Sequence, residues 1–306
     1  VKIRVLGSAA GGGFPQWNCN CRNCTGVRAG TLRARSRTQS SIAVSGRDVT
    51  RWALVNASPD ILAQLKANPV LQPGRAPRDT AIAAVVLVDA QIDHSTGLFM
   101  LRESNQALTV WCTDGAHADL TGGNPIFRVL SHYCGVERRE LKSDGSEFTI
   151  DGIEGVRWRA LAVASKPAPF SPHRDAPQPG DNVALVIGDA ASGAHAVYAP
   201  GLGAMEAPVW RAMQSAACVL VDGTFWSDDE MLALGLSKKR ARDIGHLPQS
   251  GPGGMLEWLD KLPLGTRRIL IHVNNTNPVL DEDSAERAEL TRRGIEVAWD
   301  GMELVL

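Results

Sequence analysis

Apolar residues fall along this chain in short clusters separated by glycine, proline and small polar residues, the pattern of many strands rather than of long helices. Val1-Lys2-Ile3-Arg4-Val5-Leu6 alternates in character and predicts a first or edge strand that runs into a glycine-rich loop, Gly7–Gly13. Ser40–Val44 and Trp52–Asn56 predict a hairpin turned at Ser45-Gly46-Arg47-Asp48. Ala81–Val88 is unbroken apolar sequence rich in β-branched residues, which predicts a strand buried on both faces. Further strands are expected at Leu108–Cys112, Phe148–Ile150, Arg157–Val163, Asn182–Ile187, His195–Tyr198, Cys218–Asp222, Ile269–His272, Glu296–Trp299 and Glu303–Leu306. Helices are expected at Pro59–Leu65, from Ser95 onward, and at Ala116–Leu120, Pro125–Tyr133, Ala207–Ser215, Asp228–Leu234, Gly253–Leu259 and Ser284–Arg293. Residues 165–181 form a proline-rich polar stretch, and a loop this long in a compact domain is functional or mobile. No clean linker and no internal repeat is visible, so the pattern favours one layered α/β domain over residues 1–306.

Composition narrows the picture chiefly by exclusion. The chain has 306 residues, 44% hydrophobic and 21% charged, with a net charge of -1, which gives no electrostatic case for nucleic acid or an anionic membrane as partner. No apolar run approaches the roughly 18 residues that span a bilayer, and no segment has the pattern of a secretory signal. Cys112, Cys134 and Cys218 are scattered in apolar surroundings and read as buried free thiols. Together these features set a cytoplasmic location as the expectation.

Chemistry concentrates in a few places. Cys19, Cys21 and Cys24 form C-x-C-x-x-C, and three thiolates from one loop can supply three corners of a tetrahedral zinc site, with free thiols as the alternative. The loop GSAAGGGF departs from the dinucleotide fingerprint and leads to Pro15 and the cysteines rather than to a helix. It is expected to be a turn that packs backbone close to a site. Asp89, Gln91, Asp93 and His94 follow the buried strand, where polar side chains are presented to ligands. Asp93 and His94 are adjacent, so they can share a site only if the backbone turns between them; a helix cap with a hydrogen-bonded histidine is the alternative. His272 ends a second buried strand before an amide-rich turn, Asp222 ends a third, and His246 lies in a loop before a glycine-rich helix start. His117, His132 and His195 have no comparable setting and read as structural or surface residues.

The order of these features resembles the metallo-β-lactamase superfamily, an αββα sandwich whose H-x-H-x-D-H signature follows a strand. Only Asp93 and His94 of that signature are retained; Asp89 and Gln91 stand where its first two histidines would be. More narrowly, GSAAGGGFPQWNCNC, RTQSSIAVS, NASPDI, QIDHSTGL, FSPHR, YAPGLG, VDGTFW, GHLPQSGPGGM, IHVNNTNPVLDE and DGMEL resemble the pyrroloquinoline quinone (PQQ) biosynthesis protein B family through nearly the whole chain.

The resemblance implies a four-layer αββα sandwich and, at Asp93, His94 and His272, the ligands of one metal of the superfamily's dinuclear site. The other metal's H-x-H pair is Asp89 and Gln91 here, so that site is weakened or lost; the bridging Asp falls near Pro200, and the middle His has only His173 as a candidate. Two histidines and a carboxylate with open positions match non-haem Fe(II) oxygenases. The resemblance therefore implies iron-dependent hydroxylation of the tyrosine-derived part of the peptide precursor of PQQ. A carrier of PQQ or its precursor with a vestigial site, and a mononuclear-metal hydrolase, are the alternatives. Asp89, Gln91, His246, Asp222 and His173 are expected around the metal or substrate. A structural zinc at Cys19, Cys21 and Cys24 is expected, with Asn275 as a candidate fourth ligand. Lys166, Arg174, Arg35 and Arg37 are candidates for anion binding, although surface solvation is the commoner role of such residues. The expected partners are PQQ or its precursor and other PQQ-biosynthesis proteins; a homodimer is one option for the oligomeric state.

Overall fold

A computed structural model describes residues 1–306. The first sheet is built from β1 (Lys2–Gly7), β2 (Ser41–Ser45), β3 (Trp52–Val55), β4 (Ile82–Val86), β5 (Leu108–Cys112) and β6 (Val136–Glu140). The second takes β7 (Asp144–Phe148), β8 (Val156–Ala162), β9 (Val183–Asp189), β10 (His195–Ala199), β11 (Cys218–Asp222), β12 (Arg267–Ile271) and β13 (Ile295–Val297). The last strand, β14 (Glu303–Val305), returns to the first sheet and pairs antiparallel with β1. The sheet orders are β14-β1-β2-β3-β4-β5-β6 and β13-β12-β11-β10-β9-β8-β7. No helix is long and apolar enough to cross a membrane.

The two sheets share one scheme. In the first, strands pair antiparallel from β14 to β3 and parallel from β3 to β6. In the second, they pair antiparallel from β7 to β10 and parallel from β10 to β13. The chain thus repeats a topology that leaves no visible sequence repeat, because strand pairing needs only the two-residue alternation.

That alternation assigns the layers. Along β4 and its continuation, Ala84, Val86 and Val88 lie in the core between the sheets, whereas Val85 and Leu87 face the core under the first sheet's helices. Along β11 and β12, Leu220, Ile269 and Ile271 face the inter-sheet core, while Val219, Val221 and Leu270 face the other helical layer. Both faces of these strands are covered, which explains their continuous apolar runs. Each Val, Leu or Ile so buried stabilises the fold by roughly 1.5–3 kcal/mol. The result is the αββα sandwich expected from the sequence.

Several local expectations need correction. β1 lies between β14 and β2 rather than at an edge. A helix, Arg22–Ala29, does follow the cysteine loop, with Cys21 at its N-cap and Cys24 inside it. The strand expected at Phe148–Ile150 ends at Phe148, and the charged strand Val136–Glu140 was not anticipated, since an edge strand needs no apolar face. The helix expected from Ser95 begins earlier, at Ile92, and gives way to a 3-10 turn at Thr96–Leu101. Cys112 and Cys218 are buried free thiols as expected, but Cys134 is only half-buried.

Candidate metal centre

Parallel strands leave their C-terminal ends on one side of a sheet, and polar residues just beyond those ends are not needed for the ladder. Here the segments after β4, β11 and β12 meet at one cavity of about 260 Å³, lined mainly by polar side chains, among them Asp89, Gln91, Asp93, His94, Thr224, His246 and His272.

Asp93 and His94 reach one point because Ile92–Ser95 is a turn of helix. His272 arrives from the end of β12 with φ at 62°, a left-handed conformation that is uncommon for a non-glycine residue and is found where a site holds it. His272 Nε2 lies 3.2 Å from Asp93 Oδ2, and His94 Nε2 lies 3.7 Å from the same oxygen. Atoms bonded to one ion at about 2.1 Å sit about 3.0–3.4 Å apart, so the three can serve a single metal with little adjustment.

The other ring nitrogens are already committed. His94 Nδ1 donates to the Asp89 carboxylate, 2.9 Å from each oxygen. The Thr224 hydroxyl donates to Asp222 Oδ1 at 2.6 Å, and His272 Nδ1 donates to that hydroxyl at 2.9 Å. Both rings therefore carry their proton on Nδ1 and a lone pair on Nε2, the form in which an imidazole binds a metal. His94 Nε2 is buried and has no protein partner, which an ion would supply. This donor set fits a resident metal.

Without an ion, the neighbouring carboxylates favour a second proton on His94, at Nε2, where a bound metal would take its place. Burial raises the Asp93 pKa, but His94 and His272 outweigh it and hold the carboxyl well below its usual range. Burial opposes charge on His94, yet Asp89 and Asp93 raise its pKa to about 9.

Asp222, His246 and His272 also lie close together, but they form a hydrogen-bonded scaffold. Asp222 is fully buried and accepts from the backbone nitrogens of Leu202 and Thr224, from the Thr224 hydroxyl and from His246 Nδ1 at 2.7 Å. Its oxygens are saturated by these donors. Burial and the Asp222 carboxylate act in opposite senses on His246, and the carboxylate prevails, raising its pKa.

The positions that replace the superfamily's first two histidines have other work. Asp89 holds His94, and Gln91 Nε2 donates to the Lys166 carbonyl at 3.2 Å, tying the long loop to the helix that carries Asp93 and His94. His173 does not join the cluster: its Nδ1 pairs with the buried Asp181 at 2.8 Å. Lys166 and Arg174 line the cavity, whereas Arg35 pairs with Glu282 and Arg37 is buried against Ser8 and the Ala298 carbonyl. Sequence reasoning missed Thr224, although the Asp-Gly-Thr after a buried strand is a short polar turn of the kind that folds back on its own backbone. The glycine loop packs backbone close to the site, as expected, with Gly11 at the contact: a Cβ there would lie 3.3 Å from Asp93 Oδ2.

The second cluster lies behind the same turn. The sulfurs of Cys19, Cys21 and Cys24 fall within 4.8 Å of one another and form no disulfide. Thiolates of one tetrahedral zinc lie about 3.8 Å apart, which suits this spacing. Asn275 Nδ2 is 3.3 Å from Cys24 Sγ, and the Cys21 thiol faces the Asn275 carbonyl at 3.7 Å. Burial pushes the Cys21 thiol up to about 11. The Cys19 thiol is lowered despite its burial, by hydrogen bonds from Cys21, Asn275 and Cys24.

Comparison with known proteins places these features in a family. The Beta-lactamase superfamily domain model matches residues 51–273. Coenzyme PQQ synthesis protein B of Azoarcus sp. (strain BH72) is 63% identical over 306 residues, covering 100% of both chains. The same-named protein of Methylobacillus flagellatus is 58% identical over 307 residues, again with 100% of both chains covered. The crystal structure of Zn(2+)-bound PqqB from Methylobacterium extorquens superposes with a TM-score of 0.89 at 36% identity and 100% coverage of both chains. The chain belongs to the coenzyme PQQ synthesis protein B family, within the β-lactamase superfamily.

Proposed function

We propose that this member of the family acts in PQQ biosynthesis as an Fe(II)- and O2-dependent hydroxylase of the tyrosine-derived part of the peptide precursor. The observation that carries the reading is the convergence of His94 Nε2, His272 Nε2 and Asp93 Oδ2 on one point, with both Nδ1 atoms already hydrogen-bonded. Two histidines and one carboxylate leave open positions on a metal, which suits ferrous oxygenase chemistry better than a hydrolase that needs two metals to share a hydroxide. When bound, Fe(II) would supply the activation of dioxygen.

The chain's own residues supply the rest. Asp89 and Thr224 keep both rings oriented. His246 lines the cavity and is steadied by Asp222, so it can hold or pass a proton near the substrate. Phe225, Ile244 and Pro169 give part of the wall an apolar surface for an aromatic ring. At Cys19, Cys21 and Cys24 we infer a structural zinc, supported by the sulfur spacing and by the zinc-bound relative.

A second reading, a carrier for PQQ or its precursor, draws on the conversion of Asp89 and Gln91 to structural tasks. One experiment separates the two. The protein is reconstituted anaerobically with Fe(II), then given oxygen, a reductant such as ascorbate and a tyrosine-bearing precursor peptide. A product heavier by one oxygen atom, lost in His94→Ala and His272→Ala, is the expected result. Tight binding of the quinone with no turnover under any metal would sink the hydroxylase.

A further inference from the structure

Asn23 stands between the thiols of Cys21 and Cys24, in the first turn of the helix Arg22–Ala29, yet it is only 3% exposed. Its Nδ2 donates to two backbone carbonyls of the turn that follows His272, Asn275 O at 3.1 Å and Asn277 O at 2.8 Å. Serving two acceptors from one atom takes both hydrogens of an amide, which no carboxylate or hydroxyl supplies. The far face of the turn carries a second amide used the same way. Asn277 is fully buried, and its Nδ2 donates to the carbonyls of Gly223 at 3.0 Å and Thr224 at 3.2 Å. Asn274 N adds a bond to the Thr224 carbonyl at 3.1 Å. Thr224 in turn supports His272, whose Nδ1 donates to its hydroxyl. Buried hydrogen bonds thus run from the cysteine segment, through the turn, to the group behind a metal ligand.

The glycine loop makes the same connection by another route. Gln16 N donates to Cys24 Sγ at 3.3 Å. Upstream of it, Ala10 N donates to the Val273 carbonyl at 3.0 Å, Val273 N donates to the Ser8 carbonyl at 2.9 Å, and Gly11 packs against Asp93. His272 lies where the two routes meet. Its φ of 62° is a conformation that a non-glycine residue keeps only when its surroundings over-determine it. Here those surroundings are Val273, held at both its nitrogen and its oxygen, and a turn fixed from both faces by Asn23 and Asn277. Asn23 itself does not line the cavity, so whatever it does for the metal ligands it does through the turn.

We infer that Asn23 is a positioning residue that couples the two ion sites. An ion at Cys19, Cys21 and Cys24 fixes the helix turn that carries Asn23. Asn23 holds the Val273–Asn277 turn, and that turn keeps His272 in the left-handed state that brings its Nε2 to Asp93 Oδ2. An ion at Asp93, His94 and His272 selects the same state, so each ion strengthens the binding of the other by one common factor, as linkage requires. A factor of about tenfold lies within the usual range of such coupling. The coupling rests on the reading that both clusters hold a metal, but on neither hydroxylation nor the identity of the metal at the second site.

The test reads Co(II) affinity at Asp93, His94 and His272 in the zinc-loaded full chain, by competition with a calibrated chelator. Thiolate-to-Co(II) charge-transfer absorption reveals any Co(II) that reaches the cysteines instead. Asn23→Ala should keep its cysteine-bound zinc and weaken Co(II) about tenfold. Asn23→Gln, which retains both hydrogens, should recover part of that loss. If Asn23→Ala fails to fold, Asn277→Asp makes the same cut from the other face: it keeps the Oδ1 that accepts from Val279 N and loses both donors. Cys21→Ser, without zinc, should show a similar loss, and adding Asn23→Ala to it should cost nothing more. An Asn23 that merely stabilises the fold would lower the melting temperature and leave Co(II) affinity in the folded variants unchanged, and that result overturns the coupling. Losses that multiply to about a hundredfold in the double variant overturn it too, since the thiols and Asn23 would then act apart. Coupling in a protein that never hydroxylates defeats the hydroxylase alone, whereas hydroxylation with full Co(II) affinity in Asn23→Ala defeats the coupling alone. A parent protein that takes no Co(II) at Asp93, His94 and His272 overturns the metal centre and the coupling together.

Discussion

Two clusters of ligand-type side chains lie on opposite flanks of one turn, Val273–Asn277, and they are built on different principles. Cys19, Cys21 and Cys24 come from one short segment and gain Asn275 from the turn; the thiols lie against one another and against backbone, and burial pushes Cys21 up to about 11. Asp93, His94 and His272 come from distant strand ends, and each histidine is gripped from behind by a carboxylate or a hydroxyl. The first arrangement packs three sulfurs against the Asn275 amide and suits a closed structural ion. The second has its support on one side and its lone pairs on the other, facing a cavity. The lesson is that supporting hydrogen bonds, rather than ligand identity alone, separate a clamp from a reactive centre.

The harshest way to break this contrast is to remove a thiol. Cys24→Ala should abolish one equivalent of tightly bound zinc and destabilise the fold by on the order of 5 kcal/mol, because metal binding there is folding energy. An unchanged melting temperature, with zinc content intact, would make the cysteines ordinary thiols. Asp89→Asn probes the other cluster. It should weaken metal at Asp93, His94 and His272 by about 10–100-fold while the cysteine-bound zinc stays in place. Competition with a chromogenic chelator reads both sites separately.

A third measurement concerns Glu230, buried next to the shared turn, where the Thr276 hydroxyl donates to it and Trp226 N donates at 2.7 Å. Burial raises its pKa to about 7, above the ordinary 4.5. Between those values the folded state holds a proton that the unfolded chain has released. Stability from this group is therefore full below about pH 4.5 and is lost as pH rises toward 7, by on the order of 1–3 kcal/mol. Denaturant titrations of Glu230→Gln should lack this slope; a slope identical to that of the parent would assign it elsewhere. The smallest effect is expected at Gly11. Gly11→Ala puts a methyl group against Asp93 Oδ2 and should weaken the active-site metal by a few-fold with stability nearly unchanged. Full metal affinity in that variant would mean that the glycine loop yields freely.

Much of this was legible in the sequence, for identifiable reasons. Ala81–Val88 and Cys218–Asp222 announced buried strands because both of their faces are covered, so apolar character is uninterrupted. Cys19, Cys21 and Cys24 were visible as a group because they are local. Asp93, His94 and His272 could be nominated from strand ends and from the family resemblance, but their convergence depends on the early helical turn at Ile92–Ser95 and on the left-handed backbone of His272, which no spacing rule supplies. His173 was nominated because it lies in a long polar loop; the buried Asp181 that claims it is eight residues away and gave no sign of being buried. Thr224 went unnoticed because a hydroxyl that links three other residues has no periodic signature. The charged strand Val136–Glu140 escaped because edge strands obey solubility rather than core packing.

The left-handed conformation of His272 has a consequence for anyone selecting variants of this protein. Glycine adopts φ near 62° freely, whereas a histidine holds it at a cost of about 1 kcal/mol or more. A library screened for heat tolerance alone would meet a local incentive to replace His272, and its winners could be sturdier proteins with an empty centre. On the proposed reading of His272 as a metal ligand, screens for robustness need a second filter for metal retention, since thermostability and chemistry would be opposed there by the backbone itself.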